Sequence, residues 1–314
     1  MEKSTKKPAG LAAFLTRTSD TNLLLSITII VFFVMYIGAM IFQGAGFLKA
    51  QTFFNILNAN AALIVTSVGM SIVMITGGID ISIGGVVALV CMSCAVLLDM
   101  RGGNVAQAII LAIAIGIAFG LVQGYLVAFL DIQPFIVSLA GMFFARGMTT
   151  IVNTKPFNVA NEQFVALKNT RIHIPFLGSV NKKGVFVPAY IEIGVVVALL
   201  TVVLFFCILR WSKLGRWFYA VGGNRTSALM LGINVRMTRF YSHLICSTLA
   251  GIGGFVYFLH VGSGSASHAS GMEMNAIASS IIGGTMLTGG VGNIIGTLFG
   301  VLSLRSEERR VGKE

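Results

Sequence analysis

The sequence predicts an all-α fold, a polytopic transmembrane helix bundle, on three observations. Hydrophobic residues make up 56% of the 314 positions and charged residues only 11%, against roughly 25% charged in a soluble domain. The mean hydropathy of +0.89 excludes a particle wetted on every side, whose surface must carry far more charge. Apolar runs near twenty residues also recur along the chain, the length at which a helix crosses about 30 Å of hydrocarbon. Disordered, fibrous and disulfide-rich classes fall on the same grounds.

Residues 1–22 are polar, lack the pattern of a cleavable leader, and read as a segment ahead of the membrane domain, 23–304. Apolar runs place spans at 23–42, 59–75, 83–98, 105–130 and 135–152. A polar stretch, 153–188, precedes spans at 189–209 and, after a basic loop, at 240–260. The last apolar stretch, 276–304, is broken by Gly289 and Gly290 and reads as two short helices. Composition then changes abruptly in mid-span, from Arg305 to Glu314. That string resembles a translated sequencing-adapter oligonucleotide, so 305–314 is read as a non-native tail and the membrane domain as truncated at its C-terminal end.

The net charge of +11 is no nucleic-acid footprint, because the basic residues sit between apolar runs, where Lys and Arg set orientation. The first twenty residues carry Lys3, Lys6, Lys7 and Arg17, and the stretch Arg210 to Arg239 carries six basic residues and no acid. Both are expected in the cytoplasm, and the six crossings between them agree in parity. The 153–188 stretch is then outside, against the charge rule, with five basic residues and one acid, Glu162. Cys91-Met-Ser-Cys94 has C-x-x-C spacing without a strand, aromatic flank or second pair, and reads as small buried residues rather than a redox or metal site.

Two segments match each other. Gly77-Gly78-Ile79-Asp80-Ile81-Ser82-Ile83-Gly84 and Gly283-Gly284-Thr285-Met286-Leu287-Thr288-Gly289-Gly290 share a Gly pair, a hydroxyl five residues on, and a further Gly. Neither continues an undisturbed helix. Such breaks at membrane depth occur where the chain lines a cavity or is buried in protein, and in pairs they mark transporters built from repeats. Chance matching among 37 Gly is the plain alternative. Gly116, Gly120 and Gly124, like Gly292, Gly296 and Gly300, are spaced for close helix packing.

No P-loop, dinucleotide fingerprint or zinc-protease motif occurs, and no catalytic or metal-binding residue is assigned. His260 and His268 flank a Gly/Ser segment and read as interfacial or loop residues. The basic loop is more informative. Gly222-Gly223 reads as a turn, Asn224 or Thr226 as the N-cap of a short helix over Ser227 to Leu231, and Gly232 as its stop.

The loop's Gly-x-x-x-Tyr-Ala-x-Gly-Gly-Asn and Ala-x-x-x-Gly-Ile, ending at Ile233, resemble the coupling loop of bacterial sugar ABC-importer permeases of the ribose/xylose/galactose type. The resemblance runs through nearly all of 23–304. It includes Thr76 to Gly84, Ser138-Leu139-Ala140-Gly141-Met142-Phe143-Phe144-Ala145-Arg146-Gly147, and Ala276 to Gly284. The Ala-Gly-Met-Phe-Phe-x-Arg-Gly string is most similar to the galactofuranose branch. The resemblance implies a multi-pass subunit of the bacterial inner membrane with no ATPase or cofactor of its own. Its implied partners are a separate ATPase, a second permease subunit, identical or related, and a periplasmic sugar-binding protein.

On that reading Gly222, Gly223, Asn224, Ala228, Leu229, Leu231 and Gly232 form the ATPase-coupling surface, with Ala228, Leu229 and Leu231 entering a groove on the ATPase and Gly223 requiring a positive φ. A polar sugar crosses hydrocarbon only if its hydroxyls find partners. Gly77, Gly78, Asp80 and Ser82, with Gly283, Gly284, Thr285 and Thr288, are the expected substrate path. Asp80 and Arg146 are each expected to face inward onto a polar partner, Asp80 alternatively capping the helix that restarts after the break. The paired breaks alone also fit an ion-coupled secondary transporter, which needs an intramembrane acid such as Asp80. A membrane enzyme is disfavoured, since no nucleophile, metal cluster or acid pair assembles.

Overall fold

The computed structural model describes residues 20–43, 50–180 and 186–311, the last seven of these as backbone alone. Most of the N-terminal segment and the side chains of the expected tail lie outside the described residues. In chain order the helices are α1 (Asp20–Gln43), α2 (Ala50–Ile75), α3 (Ile83–Asp99), α4 (Val105–Ala128), α5 (Pro134–Val152), α6 (Glu162–Asn169), α7 (Ile193–Trp211), α8 (Lys213–Gly223), α9 (Arg225–Met230), α10 (Val235–Val261), α11 (Met272–Ile282) and α12 (Ile294–Val311). Four short strands accompany them: β1 (Phe157–Asn158), β2 (Arg171–Val180), β3 (Phe186–Glu192) and β4 (Ser263–Gly264). Among the described residues α2, α4, α5, α7 and α10 are long and apolar enough to cross a membrane, with shorter apolar helices in α1, α3 and α12.

The bundle is assembled around α2 and α10. Almost all of α2 is buried, and α10 packs along α2, α3 and α4. The predicted glycine seam does this on α4. A Cβ on Gly116, Gly120 or Gly124 would meet the α10 backbone at Ser247, Leu244 and Phe240 respectively. Gly296 and Gly300 likewise let α12 close onto Gly283 and Ser279. The apolar faces of α4 and α5 away from this seam are exposed, with Val122 and Phe144 each 61% accessible.

Several boundaries differ from expectation for local reasons. The second span begins at Ala50, not 59, because its polar first turns bind the β2–β3 hairpin. The Gln51 side chain accepts from Tyr190 N at 2.8 Å, and Asn58 Oδ1 accepts from Glu192 N at 2.9 Å. That hairpin, paired antiparallel from Arg171–Glu192 to Val180–Phe186, and α6 occupy the polar stretch read only as a loop. Gly222-Gly223 is not a turn: both residues complete α8, an amphipathic helix capped by Ser212 Oγ on Gly215 N. Cys91 and Cys94 are buried, their thiols donating to the carbonyls of Gly254 and Ala108.

Candidate coupling surface and solute path

At one end of the bundle α7, α8 and α9 turn the chain back toward α10. Asn224 is the N-cap of α9, its Oδ1 accepting from Ser227 N at 2.9 Å. The helix therefore starts at Arg225, two residues earlier than expected, and stops at Gly232, whose φ of +77° suits glycine. That earlier start turns Ala228 inward, where it is 1% exposed, while Leu229, Met230 and Leu231 are 64%, 83% and 77% exposed. The outward apolar trio is thus Leu229, Met230 and Leu231; Ala228 belongs to the packing beneath, which corrects its expected role. Gly223 is helical, without positive φ, and a Cβ there would meet nothing within 4 Å. A steric constraint, not one of φ, falls on its neighbour instead.

Gly222 is that neighbour. A Cβ on it would collide with the carbonyl oxygen of Ile75, the last residue of α2, and lie 2.5 Å from Gly290 N. The same carbonyl accepts from Gly290 N at 2.8 Å. A Cβ on Gly289 would lie 3.0 Å from Gly77 Cα and 2.8 Å from Gly222 O. Gly77, Gly289 and Gly290 all have φ near +80° (78°, 87° and 77°), and the Tyr219 hydroxyl donates to Gly292 O at 2.9 Å. Both glycine breaks and the end of α8 therefore meet at one backbone-to-backbone junction. The sequence match between the breaks foreshadowed their pairing, but nothing in it pointed to α8.

The first break buries its polar groups within the chain. Asp80 Oδ1 accepts from Ser82 N (3.0 Å) and Ser82 Oγ (2.6 Å), and Ser247 Oγ donates to Oδ2 at 3.4 Å. Asp80 thus holds hydroxyl partners and ties the backbone at Ser82, the N-cap of α3, without itself capping the helix, which has no side-chain cap hydrogen bond. Gln123 Nε2 donates to Ser82 Oγ at 2.8 Å. Gly78, Asp80, Ser82, Gly283 and Thr285 are buried, Gly77 and Gly284 half-buried, and Thr288 exposed. In this conformation the hydroxyls of Ser82 and Thr285 are buried in the bundle, while Thr288 is exposed.

A third break lies in the Gly/Ser segment between His260 and Met272, whose small residues keep hydropathy neutral and carry no sign of membrane depth in the sequence. After α10, residues 262–271 run without helix along α3, Gly264 against Met92 and Ala95, and Ala269 O against Gly84. Gly85 in turn abuts Met142 and Ala145, at the middle of α5, so this re-entrant segment reaches the depth of the helix midpoint. Arg146 secures it: its guanidinium donates to the carbonyls of Ala266, His268 and Ala269 at 3.0, 2.6 and 3.1 Å. Ser267 and Ser270 are exposed there. His268 packs edge-on to Tyr257, while His260 pairs with Glu192 at 2.8 Å nearer the hairpin.

A helix bundle with interrupted segments at mid-depth and a short amphipathic element displayed at one end defines a membrane transport subunit. The chain belongs to the family described as branched-chain amino acid transport system / permease component, which matches residues 52–306. It is 37% identical over 280 residues to the inner membrane ABC transporter permease protein YjfF of Escherichia coli (strain K12), covering 89% of this chain and 81% of that one. It is 33% identical to the ribose import permease protein RbsC of the same strain (82% and 77% covered). To the galactofuranose transporter permease protein YtfT it is 30% identical (80% and 69% covered). No solved structure matches the chain. It is accordingly a multi-pass inner-membrane permease component rather than an enzyme, and ATP hydrolysis in its system belongs to a separate subunit.

Proposed function

We propose that this chain is a transmembrane subunit of an ABC importer for a monosaccharide of the ribose, xylose, galactose or galactofuranose kind. In this reading the N-terminus and α9 face the cytosol, and a second permease subunit, identical or related, completes the path. The observation that carries it is the exposed trio Leu229, Met230 and Leu231, the apolar end of a capped six-residue helix and its C-cap, too short to persist without contacts and suited to a groove on an ATPase. Gly222, Gly223, Asn224 and Gly232 shape that helix and its approach, and Ala228 anchors it from beneath.

The breaks at Gly77, Gly78, Asp80 and Ser82 and at Gly283, Gly284, Thr285 and Thr288 act as joints that let half-helices shift. Solute hydroxyls meet the exposed Ser267 and Ser270 instead. Hydroxyls and irregular backbone at mid-depth are tolerated where they line a wet cavity or a protein contact. Relatives named for sugars favour a sugar over the amino acids in the family's description.

The test is uptake into inverted-topology-controlled vesicles holding the permease, its co-expressed ATPase and the sugar-binding protein. Radiolabelled ribose, xylose, galactose and galactofuranose are compared with leucine. ATP-dependent uptake of one sugar and none of leucine is expected, with Met230→Glu abolishing both uptake and ATPase co-purification. Uptake without the ATPase, or of leucine alone, overturns the reading.

A further inference from the structure

Where α4, α9 and α10 converge, a cavity of about 690 Å³ opens beside the coupling element. Its wall carries Arg225, Arg236 and Arg239 against one acid, Asp131. The Arg239 side chain is only 9% exposed and binds Asp131 at 2.5 Å, so two further guanidinium groups stand on the wall beyond that pair. Asp131 itself is held at φ +52°, a left-handed conformation that aspartate tolerates better than most residues. Between these charges the wall is formed by Phe129, Leu229, Ile233 and Val235, with Thr226 and Asn234.

A second cavity, about 410 Å³, lies between α4 and α5, its lining almost wholly apolar and including Phe119, Val122, Leu126 and Phe144. Phe129 of the first cavity, which caps the C-terminal end of α4, and Val122 of the second are seven residues apart, so they fall on one face about two turns from each other. Tyr125 lies between them, 53% exposed. A cationic pocket at a span's end thus lies on the same face as an oily groove along the span.

We infer that these two cavities together bind one anionic phospholipid. Its phosphate pairs with Arg225 and Arg236, and an acyl chain lies in the groove between α4 and α5. Guanidinium groups match phosphate oxygens in geometry as well as charge, and basic pockets between spans are suited to anionic head groups. Free phosphate has no use for the groove, and neither has an acidic side chain of a partner protein. Arg225 is the first residue of α9, so a bound head group steadies the coupling element. That consequence, though not the binding itself, rests on the function proposed above.

The experiment uses the full-length permease in nanodiscs of phosphatidylcholine mixed with phosphatidylglycerol, then native mass spectrometry of the lipid retained. The wild type is expected to retain phosphatidylglycerol over phosphatidylcholine by about tenfold or more, the order expected of two basic contacts at a membrane surface. Arg225 and Arg236 are exposed, so an R225Q/R236Q variant keeps the fold and loses that preference. Asp131→Asn removes the balancing acid and raises retention, and Val122→Trp fills the groove and lowers it with every arginine in place. Equal retention of both lipids by the wild type overturns the proposal. So does displacement of phosphatidylglycerol by millimolar inorganic phosphate. An R225Q/R236Q variant that keeps phosphatidylglycerol but loses its ATPase assigns the cationic wall to the partner protein and overturns it as well.

Discussion

At Asp80 the carboxylate is surrounded by the donors it needs: Ser82 N and Oγ, and Ser247 Oγ. Asp80→Asn keeps an oxygen for Ser82 N, whereas Asp80→Ala leaves that buried N–H without an acceptor, at a cost of about 1–3 kcal/mol. Thermal unfolding of the purified permease should therefore show Ala well below Asn, and an Asn variant with normal sugar uptake would remove the charge from the mechanism. The Arg239 guanidinium, by hydrogen bond and then by charge, holds the Asp131 carboxyl below the usual carboxylate range. An acid whose pKa is lower folded than unfolded contributes stability above its unfolded value, near 3.9, and loses it as pH falls through the folded one. Acid unfolding should accordingly come at a slightly higher pH in Asp131→Ala, by a small margin because the carboxylate is 79% exposed. Both acids were visible in the sequence as isolated charges beside apolar runs. Their partners were not, since Ser247 and Arg239 lie more than a hundred residues away.

At the scale of elements, α9 and the glycine junction make opposite demands on adjacent residues. Gly222→Ala forces a methyl into the Ile75 carbonyl, while Gly223→Ala enters open space. We expect Gly223→Ala to transport normally. Gly222→Ala should still bind the ATPase through α9, but its ATP hydrolysis should no longer respond to the sugar-loaded binding protein. Equal behaviour of the two variants in that stimulated-ATPase assay would show that the junction transmits nothing. Tyr219→Phe, which deletes one hydrogen bond worth about 0.5–1.5 kcal/mol, should weaken the response without abolishing it. The sequence made α9 legible because caps and a stop glycine are local chemistry. It misplaced the helix start by two residues and turned Ala228 outward, and a six-residue helix has no periodicity long enough to correct that. The re-entrant segment was illegible for a related reason: a run of Gly, Ser, Ala and His has neither a helical nor a strand period, and its conformation comes from distant partners, β1 beside Ser263–Gly264 and Arg146 across the bundle.

For the whole molecule the spans were read from hydropathy nearly as the structure places them, because hydrocarbon thickness sets helix length regardless of packing. Orientation is a different matter. The hairpin stretch carries Lys155, Lys168 and Arg171 on the side assigned to the periplasm, although Lys168 Nζ is occupied with Val261 O at 3.0 Å and Arg171 lies 4.3 Å from the Tyr190 ring centre. Two of these cations have structural partners, whereas those between Arg210 and Arg239 include exposed ones such as Lys213, Arg216 and Arg236. A reporter enzyme active only in the periplasm, inserted at the tip of the hairpin, should be active. The same insertion beside Gly232 should be silent. The reverse pattern would invert the topology and with it the placement of α9.

Arg146 also sets a problem of timing. It enters the bilayer with α5, yet the carbonyls that satisfy it belong to Ala266, His268 and Ala269, about 120 positions later in synthesis. Until they arrive the helix carries an arginine that costs about 3 kcal/mol at the centre of a span, and the re-entrant segment, once made, packs against α3 and onto this arginine together. Neither half is stable in lipid before the other. The nascent protein must therefore keep α5 sheltered, at the insertion machinery or against α3, while more than a hundred residues are threaded. A ribosome stalled between α5 and α10 would release a fragment that membrane quality control can recognise by that single unsatisfied charge.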